Sequence, residues 1–328
     1  MKAIVYEEYG APEDVLELRD IDNPEVADDE VMIRIRAASL NPYDWHFLRG
    51  LPYVMRLMIG LRKPRRAPVV LGSDMAGQVE AVGRSVTRFR PGDEVYAEVG
   101  IGSCAEYITV PEAKPALKPA NLTFEQAAAV PMAAQTALVG VRDQANVQPG
   151  QKVLVNGASG GVGSFAVQLA KTLGAEVTGV CNTRNIEMVR SLGADHIIDY
   201  THENFTEGNE RYDFILDTVG NHPMSHNRRV LTSKGTYGAP GAGGGRWLGA
   251  ATQQLKAAAL SPFVSQKMVP VNDKPNKDLH YMKELIEAGE VTPVIDTTYP
   301  LSKAADAMRH VEEGHTRGKV VITVAEAD

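Results

Sequence analysis

The chain has 328 residues, of which 44% are hydrophobic and 23% are charged, and its formal net charge at pH 7 is -7. This length suggests two domains, and the composition is that of a protein with a sizeable buried core. The acidic balance argues against nucleic acid or an anionic membrane as the main partner. No apolar run is long enough for stable membrane insertion.

Cysteine is rare in this sequence, which contains only Cys104 and Cys181. Two distant cysteines give no disulfide framework, and they cannot supply a four-cysteine zinc site. Residues 1–6 have the pattern of a strand and lack the features of a signal peptide. We therefore expect a cytoplasmic protein in a reducing compartment.

The first ~120 residues have the pattern of a β domain. Val31, Ile33 and Ile35 alternate with polar or solvent-facing positions, which predicts a strand with one buried face. Pro91 and Gly92 indicate a turn between two strands. Because glycine and proline repeatedly separate short strands, we expect a small irregular barrel.

The pattern changes near Thr123, which can cap the free amides of a first helical turn and so predicts a helix start. From residue 152 strands and helices alternate, beginning with a strand at 152–156 and a helix that ends at Gly174. This alternation predicts a parallel sheet with right-handed helical crossovers. The further predicted elements are strands at 176–180, 196–198, 214–217 and 319–324, helices at 185–192, 277–288 and 303–313, and a loop at 241–245.

A glycine-rich turn at 157–163 follows the strand at 152–156 and opens the next helix. Glycines allow a tight turn and let the backbone approach a pyrophosphate, and the free amides of the helix start attract negative charge. Ala158 stands where the dinucleotide fingerprint usually has its first glycine. The context favours a dinucleotide site, and the alternative is a strand–helix turn without a ligand.

The end of the second strand of this unit indicates which dinucleotide binds. NAD-binding proteins usually have Asp or Glu there, whereas this chain has Cys181, Asn182, Thr183 and Arg184. No carboxylate in this stretch repels a 2′-phosphate, Arg184 can pair with one, and Asn182 and Thr183 can donate hydrogen bonds. We predict that NADP(H) is preferred over NAD(H). Alternatively, Arg184 is a solvated residue at a helix start.

Motifs spread over nearly the whole chain match one family. They are Asn-Pro-Tyr-Asp at 41–44, Gly-Ser-Asp-Met-Ala-Gly at 72–77, Phe-Arg-Pro-Gly-Asp-Glu-Val at 89–95, Ala-Glu-Tyr at 105–107, Asp-Thr-Val-Gly at 217–220 and Gly-His-Thr-Arg-Gly-Lys at 314–319. Together with the glycine-rich turn, they resemble the medium-chain dehydrogenase/reductase superfamily, and in particular its zinc-independent quinone oxidoreductase branch.

The resemblance implies an α/β fold in which a GroES-like β-barrel catalytic domain carries an inserted Rossmann domain, a doubly wound parallel sheet. We expect the catalytic domain at residues 1–122, the NADP-binding Rossmann domain at 123–269 and a C-terminal return to the catalytic domain at 270–328. The resemblance also implies an active-site cleft between the domains and a homodimer joined through the nucleotide-binding domains.

The chain departs from the zinc-binding alcohol dehydrogenases of this superfamily at the ligand positions. It has Asn41 where they have Cys, it has Ser73 and Asp74 where they have His and Glu, and their third ligand would fall near Ala133 and Ala134. None of these residues gives a tetrahedral nitrogen and sulfur site. Because no Lewis acid would lower the pKa of an alcohol, reduction of an already polarised acceptor is the better interpretation.

The resemblance also implies the site residues. Asn41 would lie near the nicotinamide and hydrogen-bond the cofactor or substrate, and Tyr43 would polarise the acceptor oxygen. Asp44 would either orient its neighbours or carry a proton to the product. The candidate cofactor contacts are Ser159, Gly160, Gly161 and Val162 at the phosphates, Asn182 and Tyr200 at the adenosine ribose, and Val219 at the nicotinamide. Tyr200 could equally be a packed residue at a strand end.

Residues 51–66 consist of an apolar, methionine-bearing stretch that is followed by four cations within residues 62–66. Three interpretations remain open. The segment is a solvated face, a lid whose Tyr53, Met55 and Met58 line an apolar pocket, or a weak attachment site for an anionic membrane surface, in which quinones dissolve.

These observations predict an NADPH-dependent oxidoreductase that reduces a quinone or an α,β-unsaturated carbonyl compound by hydride transfer without zinc. One alternative is a reductase of simple aldehydes or ketones. Another is a protein that binds the cofactor with little turnover. The sequence does not name the acceptor, because side chains from several loops decide the shape of a pocket.

Overall fold

The computed structural model describes residues 1–240, 265–272 and 274–324. The loop predicted at 241–245 lies outside the described residues. No helix in the described ranges has the length and apolar character that spanning a membrane requires.

The chain divides into two compact units. The first consists of Met1–Gln135, Lys274–Gly289 and Pro293–Asp328, and the second of Thr136–Asp273 and Glu290–Thr292. The domain boundaries expected at 122/123 and 269/270 stay a prediction.

The strands are, in chain order, β1 (Lys2–Tyr6), β2 (Glu17–Asp20), β3 (Glu30–Leu40), β4 (Val69–Val70), β5 (Asp74–Val82), β6 (Glu94–Glu98), β7 (Tyr107–Pro111), β8 (Ala116–Leu117), β9 (Lys152–Asn156), β10 (Glu176–Cys181), β11 (His196–Asp199), β12 (Tyr212–Asp217), β13 (Leu231–Ala239), β14 (Lys267–Pro270), β15 (Ile295–Pro300) and β16 (Lys319–Thr323). The helices are α1 (Pro12–Val15), α2 (Pro42–Arg49), α3 (Arg56–Ile59), α4 (Phe124–Ala128), α5 (Pro131–Leu138), α6 (Gly161–Thr172), α7 (Ile186–Ser191), α8 (Met224–Arg229), α9 (Leu279–Glu287) and α10 (Ala304–Glu312).

The first unit is built on a mainly antiparallel sheet with the strand order β15-β16-β3-β5-β6-β8, and β7 also pairs with β3. A second antiparallel sheet has the order β2-β1-β4. The long strand β3 crosses the centre of the larger sheet. Its Val31, Ile33 and Ile35 are buried in the core, which confirms the predicted alternation.

The second unit is built on a parallel sheet with the order β11-β10-β9-β12-β13-β14. Numbered from β9, this is the order 3-2-1-4-5-6 of the doubly wound Rossmann fold, which confirms the predicted fold class. The order reverses beside β9, so ligands are expected at the carboxyl ends of β9 and its neighbours.

Local sequence signals account for several element boundaries. Thr123 Oγ1 accepts a hydrogen bond from the Gln126 backbone amide at 3.2 Å, and Gln126 Oε1 accepts one from the Thr123 backbone amide at 3.0 Å, which confirms the predicted helix start. The following alanine-rich run forms two helices, α4 and α5, because Pro131 starts a new helix more readily than it continues one. Gly174 ends α6 with the positive φ of 78° that glycine tolerates.

Candidate functional site

The start of α2 is fixed by hydrogen bonds between Asn41 and Asp44. Asn41 follows β3 and caps the helix, and its backbone amide donates to Asp44 Oδ2 at 2.7 Å. The same carboxylate oxygen accepts from Ser73 Oγ at 3.1 Å. Asp44 is buried, so it ties the helix start to the segment before β5.

The side-chain amide of Asn41 is also fully engaged as a donor. Its Nδ2 donates to Ser73 Oγ at 3.0 Å and to Asp74 Oδ2 at 2.9 Å, while its Oδ1 accepts from Lys319 Nζ. An amide nitrogen carries two hydrogens, so none is left to donate to a cofactor or substrate. Any direct contact would use the second lone pair of Oδ1.

Lys319 supplies the cation of this cluster. It opens β16, which pairs with β3, and its Nζ also donates to the Leu40 carbonyl at 3.2 Å and lies 3.5 Å from Asp74 Oδ2. Asp74 Oδ1 accepts from the Met132 amide at 3.1 Å. The sequence analysis missed Lys319, although a lysine that opens an apolar strand was a signal that it needs a buried partner.

The cluster therefore holds two carboxyls and one ammonium away from water. Burial raises the pKa of Asp44 to about 7, an effect that the hydrogen bond from the Asn41 amide partly offsets. Burial also raises the pKa of Asp74, against the opposing charge of Lys319, and it lowers the pKa of Lys319. Lys319 stabilises the charged form of each carboxyl, whereas the nearby Asp74 carboxyl disfavours the charged form of Asp44, so Asp44 can hold a proton near neutral pH.

Tyr43, unlike the predicted site residues Asn41 and Asp44, takes no part in this hydrogen-bond network. Its ring centroid lies 4.4 Å from that of Phe47, and its hydroxyl has no hydrogen-bond partner among the described residues. Burial raises the pKa of Tyr43 to about 12. The hydroxyl therefore keeps its proton at neutral pH and can donate it in a hydrogen bond to a ligand.

In the second unit, the glycine-rich turn brings the end of β9 close to the start of α6. Gly157 has a φ of 85°, and a Cβ at Gly163 would lie 2.0 Å from the Gly157 carbonyl oxygen. The first amide that bonds within the helix is that of Ser164, which donates to the Gly160 carbonyl at 2.9 Å. The preceding amides of the first turn have no partner inside the helix, as an anion site requires. Of the predicted phosphate contacts Ser159, Gly160, Gly161 and Val162, the amide of Gly160 is already engaged, because it donates to the Gly157 carbonyl at 3.0 Å.

The predicted ribose site follows β10. The Oδ1 atom of Asn182 is buried and has no hydrogen-bond partner in the described part of the chain, so it can accept a hydrogen bond from a ligand. Thr183 Oγ1 donates to Asp199 Oδ2 at 2.5 Å, and this bond holds the pKa of Asp199 well below its usual range. A carboxylate thus lies beside the predicted ribose site after all. It comes from the neighbouring strand β11, which the sequence analysis did not consider.

Val219 and Tyr200 are large side chains left open to solvent, with 48% and 50% of their surfaces exposed. The loop that carries Val219 is held by the buried Asp217, whose Oδ1 accepts from the Val219 amide at 3.1 Å and the Gly220 amide at 2.8 Å. The opposite oxygen of Asp217 accepts from Tyr237 Oη at 2.7 Å. This network gives the exposed loop a fixed base.

The predicted cofactor residues follow the four neighbouring parallel strands β9, β10, β11 and β12, so they share one edge of the sheet. The free amides and the orphaned Asn182 oxygen offer the polar groups, and the exposed Val219 and Tyr200 the apolar surface, that a dinucleotide site requires. Asn41, Tyr43 and Asp44 belong to the first unit, where Asn41 and Asp44 share one network. In the described ranges, no group of three or more His, Cys, Asp or Glu side chains is placed to hold a metal ion.

Two family models match the chain. A model described as an alcohol dehydrogenase GroES-like domain matches residues 27–120, and one described as a zinc-binding dehydrogenase matches residues 192–322. The first match confirms the predicted GroES-like character of the N-terminal part.

Curated relatives and solved structures extend the similarity to almost the whole chain. The chloroplast envelope quinone oxidoreductase homolog of Arabidopsis thaliana is 35% identical over 98% of each chain. The chloroplastic NADPH-dependent alkenal/one oxidoreductase of Arabidopsis thaliana is 36% identical over 98% of this chain and 79% of its own length. A structure described as an NAD-dependent alcohol dehydrogenase has a TM-score of 0.87 at 31% identity, over 99% of this chain and 100% of its own. The chain belongs to the medium-chain dehydrogenase/reductase superfamily, in its quinone oxidoreductase and alkenal reductase branch.

We expect Lys319→Met to lower the free energy of unfolding by ~3–5 kcal/mol, because it leaves buried carboxyls without a cation. The double variant Lys319→Met/Asp74→Asn should recover much of this loss, since it removes both members of the pair. Urea unfolding followed by circular dichroism measures both. As a control, Lys152→Met breaks the exposed ion pair with Glu210 and should leave stability nearly unchanged. Equal losses in the two single variants would contradict this account.

The raised pKa of Asp44 predicts a pH dependence of stability. Between its ordinary value of 3.8 and about 7, the folded state keeps a proton that the unfolded state has lost. Its contribution to the free energy of unfolding is therefore present at low pH and lost as the pH rises through this window. Asp44→Asn should make the decline shallower, while Asp20→Asn at an exposed position should not. Urea unfolding across this pH range tests the difference, and identical slopes in all three proteins would contradict it.

Proposed function

We propose that this protein is an NADPH-dependent oxidoreductase that reduces a quinone or an α,β-unsaturated carbonyl compound by hydride transfer without zinc. The observation that carries the proposal is the buried cluster around Asn41. At positions where alcohol dehydrogenases of the superfamily have zinc ligands, Asn41, Ser73 and Asp74 bond to one another. Their internal cation is the ammonium group of Lys319. The quinone and alkenal/one activities in the names of the similar plant proteins support the same reaction class.

In this proposal the cofactor supplies the hydride when it is bound, and the protein binds, orients and polarises. The free amides of the glycine-rich turn would hold the diphosphate, and Val219 would lie at the nicotinamide end. Tyr43 donates its hydroxyl to the acceptor oxygen, which stabilises the negative charge that develops there. Asp44 accepts two hydrogen bonds on one buried oxygen, which supports an orienting role over proton delivery. The product then takes its proton from water.

The choice of coenzyme depends on two opposing charges. Arg184 follows β10 and can pair with a 2′-phosphate, whereas the Asp199 carboxylate beside Thr183 repels one. We propose that Arg184 prevails, because a guanidinium can form a charge-assisted, bidentate pair with a 2′-phosphate. A cytoplasmic location and a homodimer stay predictions.

One observation favours a second candidate, an NADH-linked reductase of simple aldehydes or ketones. The structure described as an NAD-dependent alcohol dehydrogenase is 31% identical to this chain over nearly its full length. The carboxylate of Asp199 is compatible with NADH, since it would accept hydrogen bonds from ribose hydroxyls.

We expect NADPH oxidation, followed by its absorbance, to be fast with quinones or enones and slow with simple aldehydes and ketones. The three acceptor classes are assayed in parallel, each with NADPH and with NADH. Faster turnover of simple aldehydes with NADH would establish the second candidate instead. Coenzyme binding without oxidation across the whole panel would identify a binding protein with little turnover.

Tyr43→Phe should lower kcat for the best acceptor on the order of a hundredfold, as expected for a lost hydrogen bond to a developing oxyanion. The KM for NADPH and the unfolding temperature should stay unchanged, because the contact with Phe47 remains. Unchanged turnover would remove Tyr43 from the mechanism.

Arg184→Ala should lower kcat/KM for NADPH by about tenfold and leave that for NADH nearly unchanged, since only NADPH has a 2′-phosphate to lose. Asp199→Asn should shift the ratio the other way, raising the preference for NADPH a few-fold, because it removes a like charge. Steady-state kinetics with both coenzymes measures the ratio. A preference that survives Arg184→Ala would exclude that residue from selectivity.

A further inference from the structure

The segment that follows α2 exposes large apolar side chains to solvent. Leu57, Met58 and Leu61 expose 62%, 79% and 66% of their surfaces, and they lie within five residues of one another on α3 and the turn after it. Folded proteins rarely leave neighbouring large apolar side chains this open unless something covers them.

The polar groups at the base of this segment are tied inward. The guanidinium of Arg56 lies 4.6 Å from the ring centroid of Tyr9, and it donates to the Gly50 carbonyl at 2.9 Å and the Arg49 carbonyl at 3.0 Å. Tyr9 Oη donates to the Gly60 carbonyl at 2.9 Å. The base of the segment is therefore held by specific bonds.

The far side of the turn is also held by hydrogen bonds to backbone carbonyls. The backbone amide of Arg65 donates to the Ile59 carbonyl, and its guanidinium donates to the Leu57 carbonyl, both at 2.8 Å. Gly60 has a φ of 129°, and a Cβ there would lie 2.0 Å from the Lys63 carbonyl oxygen. The turn thus satisfies its own carbonyls internally and holds its apolar side chains outward.

Three cations stand beside the apolar tip. Arg62, Lys63 and Arg66 are exposed, and none has an ion-pair partner in the described part of the chain. A local excess of positive charge is unusual for a protein whose net charge is -7. Apolar side chains flanked by unpaired cations match the chemistry of an anionic bilayer surface, where acyl chains lie next to negative headgroups.

We propose that residues 51–66 dock this protein reversibly on the surface of an anionic lipid bilayer. Leu57, Met58 and Leu61 enter the headgroup region, and Arg62, Lys63 and Arg66 contact the lipid phosphates. The net negative charge of the whole protein keeps this association weak and dependent on salt. The proposal does not depend on the reductase activity.

Two other occupants fit the charges less well. A second copy placed on this patch by twofold symmetry would bring the cations of both copies together, which costs free energy. A lid over an uncharged acceptor would use the apolar side chains but would gain nothing from the cations at its tip. Both become distinguishable outcomes of the test.

The test is sedimentation of the full-length protein with vesicles of equal parts phosphatidylcholine and phosphatidylglycerol, compared with vesicles of phosphatidylcholine alone. We expect association with the anionic vesicles at low salt and little with either kind at high salt. Arg62→Gln/Lys63→Gln/Arg66→Gln should weaken partitioning on the order of a hundredfold, as three lost cations imply. Leu57→Ser/Met58→Ser/Leu61→Ser should weaken it by about tenfold or more.

Matched variants control for charge and hydrophobicity elsewhere on the surface. Arg229→Gln/Lys234→Gln/Lys267→Gln removes the same charge, and Leu18→Ser/Ile101→Ser/Leu117→Ser removes exposed apolar side chains; both should bind vesicles like the unmodified protein. Circular dichroism checks that every variant is folded.

Two results would overturn the proposal. In the first, the unmodified protein fails to bind the anionic vesicles; if the serine variant then raises the KM for the acceptor, the segment is a lid, and if it dissociates an oligomer, the segment is an interface between copies. In the second, both 51–66 variants bind the anionic vesicles as well as the unmodified protein does.

Discussion

A single buried ammonium group joins three separate parts of the first unit. Lys319 on β16 contacts the end of β3 through the Leu40 carbonyl, the start of α2 through Asn41 and the start of β5 through Asp74. Removing such a charge from water is costly unless every bond around it is made, and here all the partners are fixed by strands or by a helix cap. The same bonds that satisfy Lys319 therefore orient the residues that carry the proposed chemistry.

Under the proposed function, this arrangement takes the place of a metal at a superfamily position that alcohol dehydrogenases use for zinc. A zinc site uses a divalent cation to hold side chains from distant segments, and in this chain a monovalent ammonium connects the corresponding residues. The two cations differ in chemistry, because an ammonium orients and neutralises but offers no open coordination position. The proposed function follows from this difference, since an acceptor that is already polarised needs no Lewis acid, and in that proposal Tyr43 is the remaining hydrogen-bond donor.

In the second unit, polar groups lie open at one edge of the parallel sheet. The parallel order of β9 to β12 brings four loops together, and buried side chains such as Asp217 fix those loops from below. The amides of the first turn of α6, the Asn182 oxygen that lacks a partner in the described ranges, and the exposed Val219 therefore lie at one edge of the sheet. The exposed tip at residues 51–66 follows the same principle in the first unit, where inward-directed polar bonds hold apolar groups outward.

The sequence by itself determined the alternation of strands and helices, the glycine-rich turn and the superfamily, because periodicity, capping residues such as Thr123 and short motifs are local signals. The roles that it gave to Asn41, Asp44 and the cofactor residues stay predictions. Only the tertiary structure decided which charges meet. Lys319 is 278 residues from Asn41 in the chain, and Asp199 reaches Thr183 from the neighbouring strand. Both contacts depend on strand pairing and register, and these are fixed by packing over the whole sheet rather than by the residues adjacent in sequence.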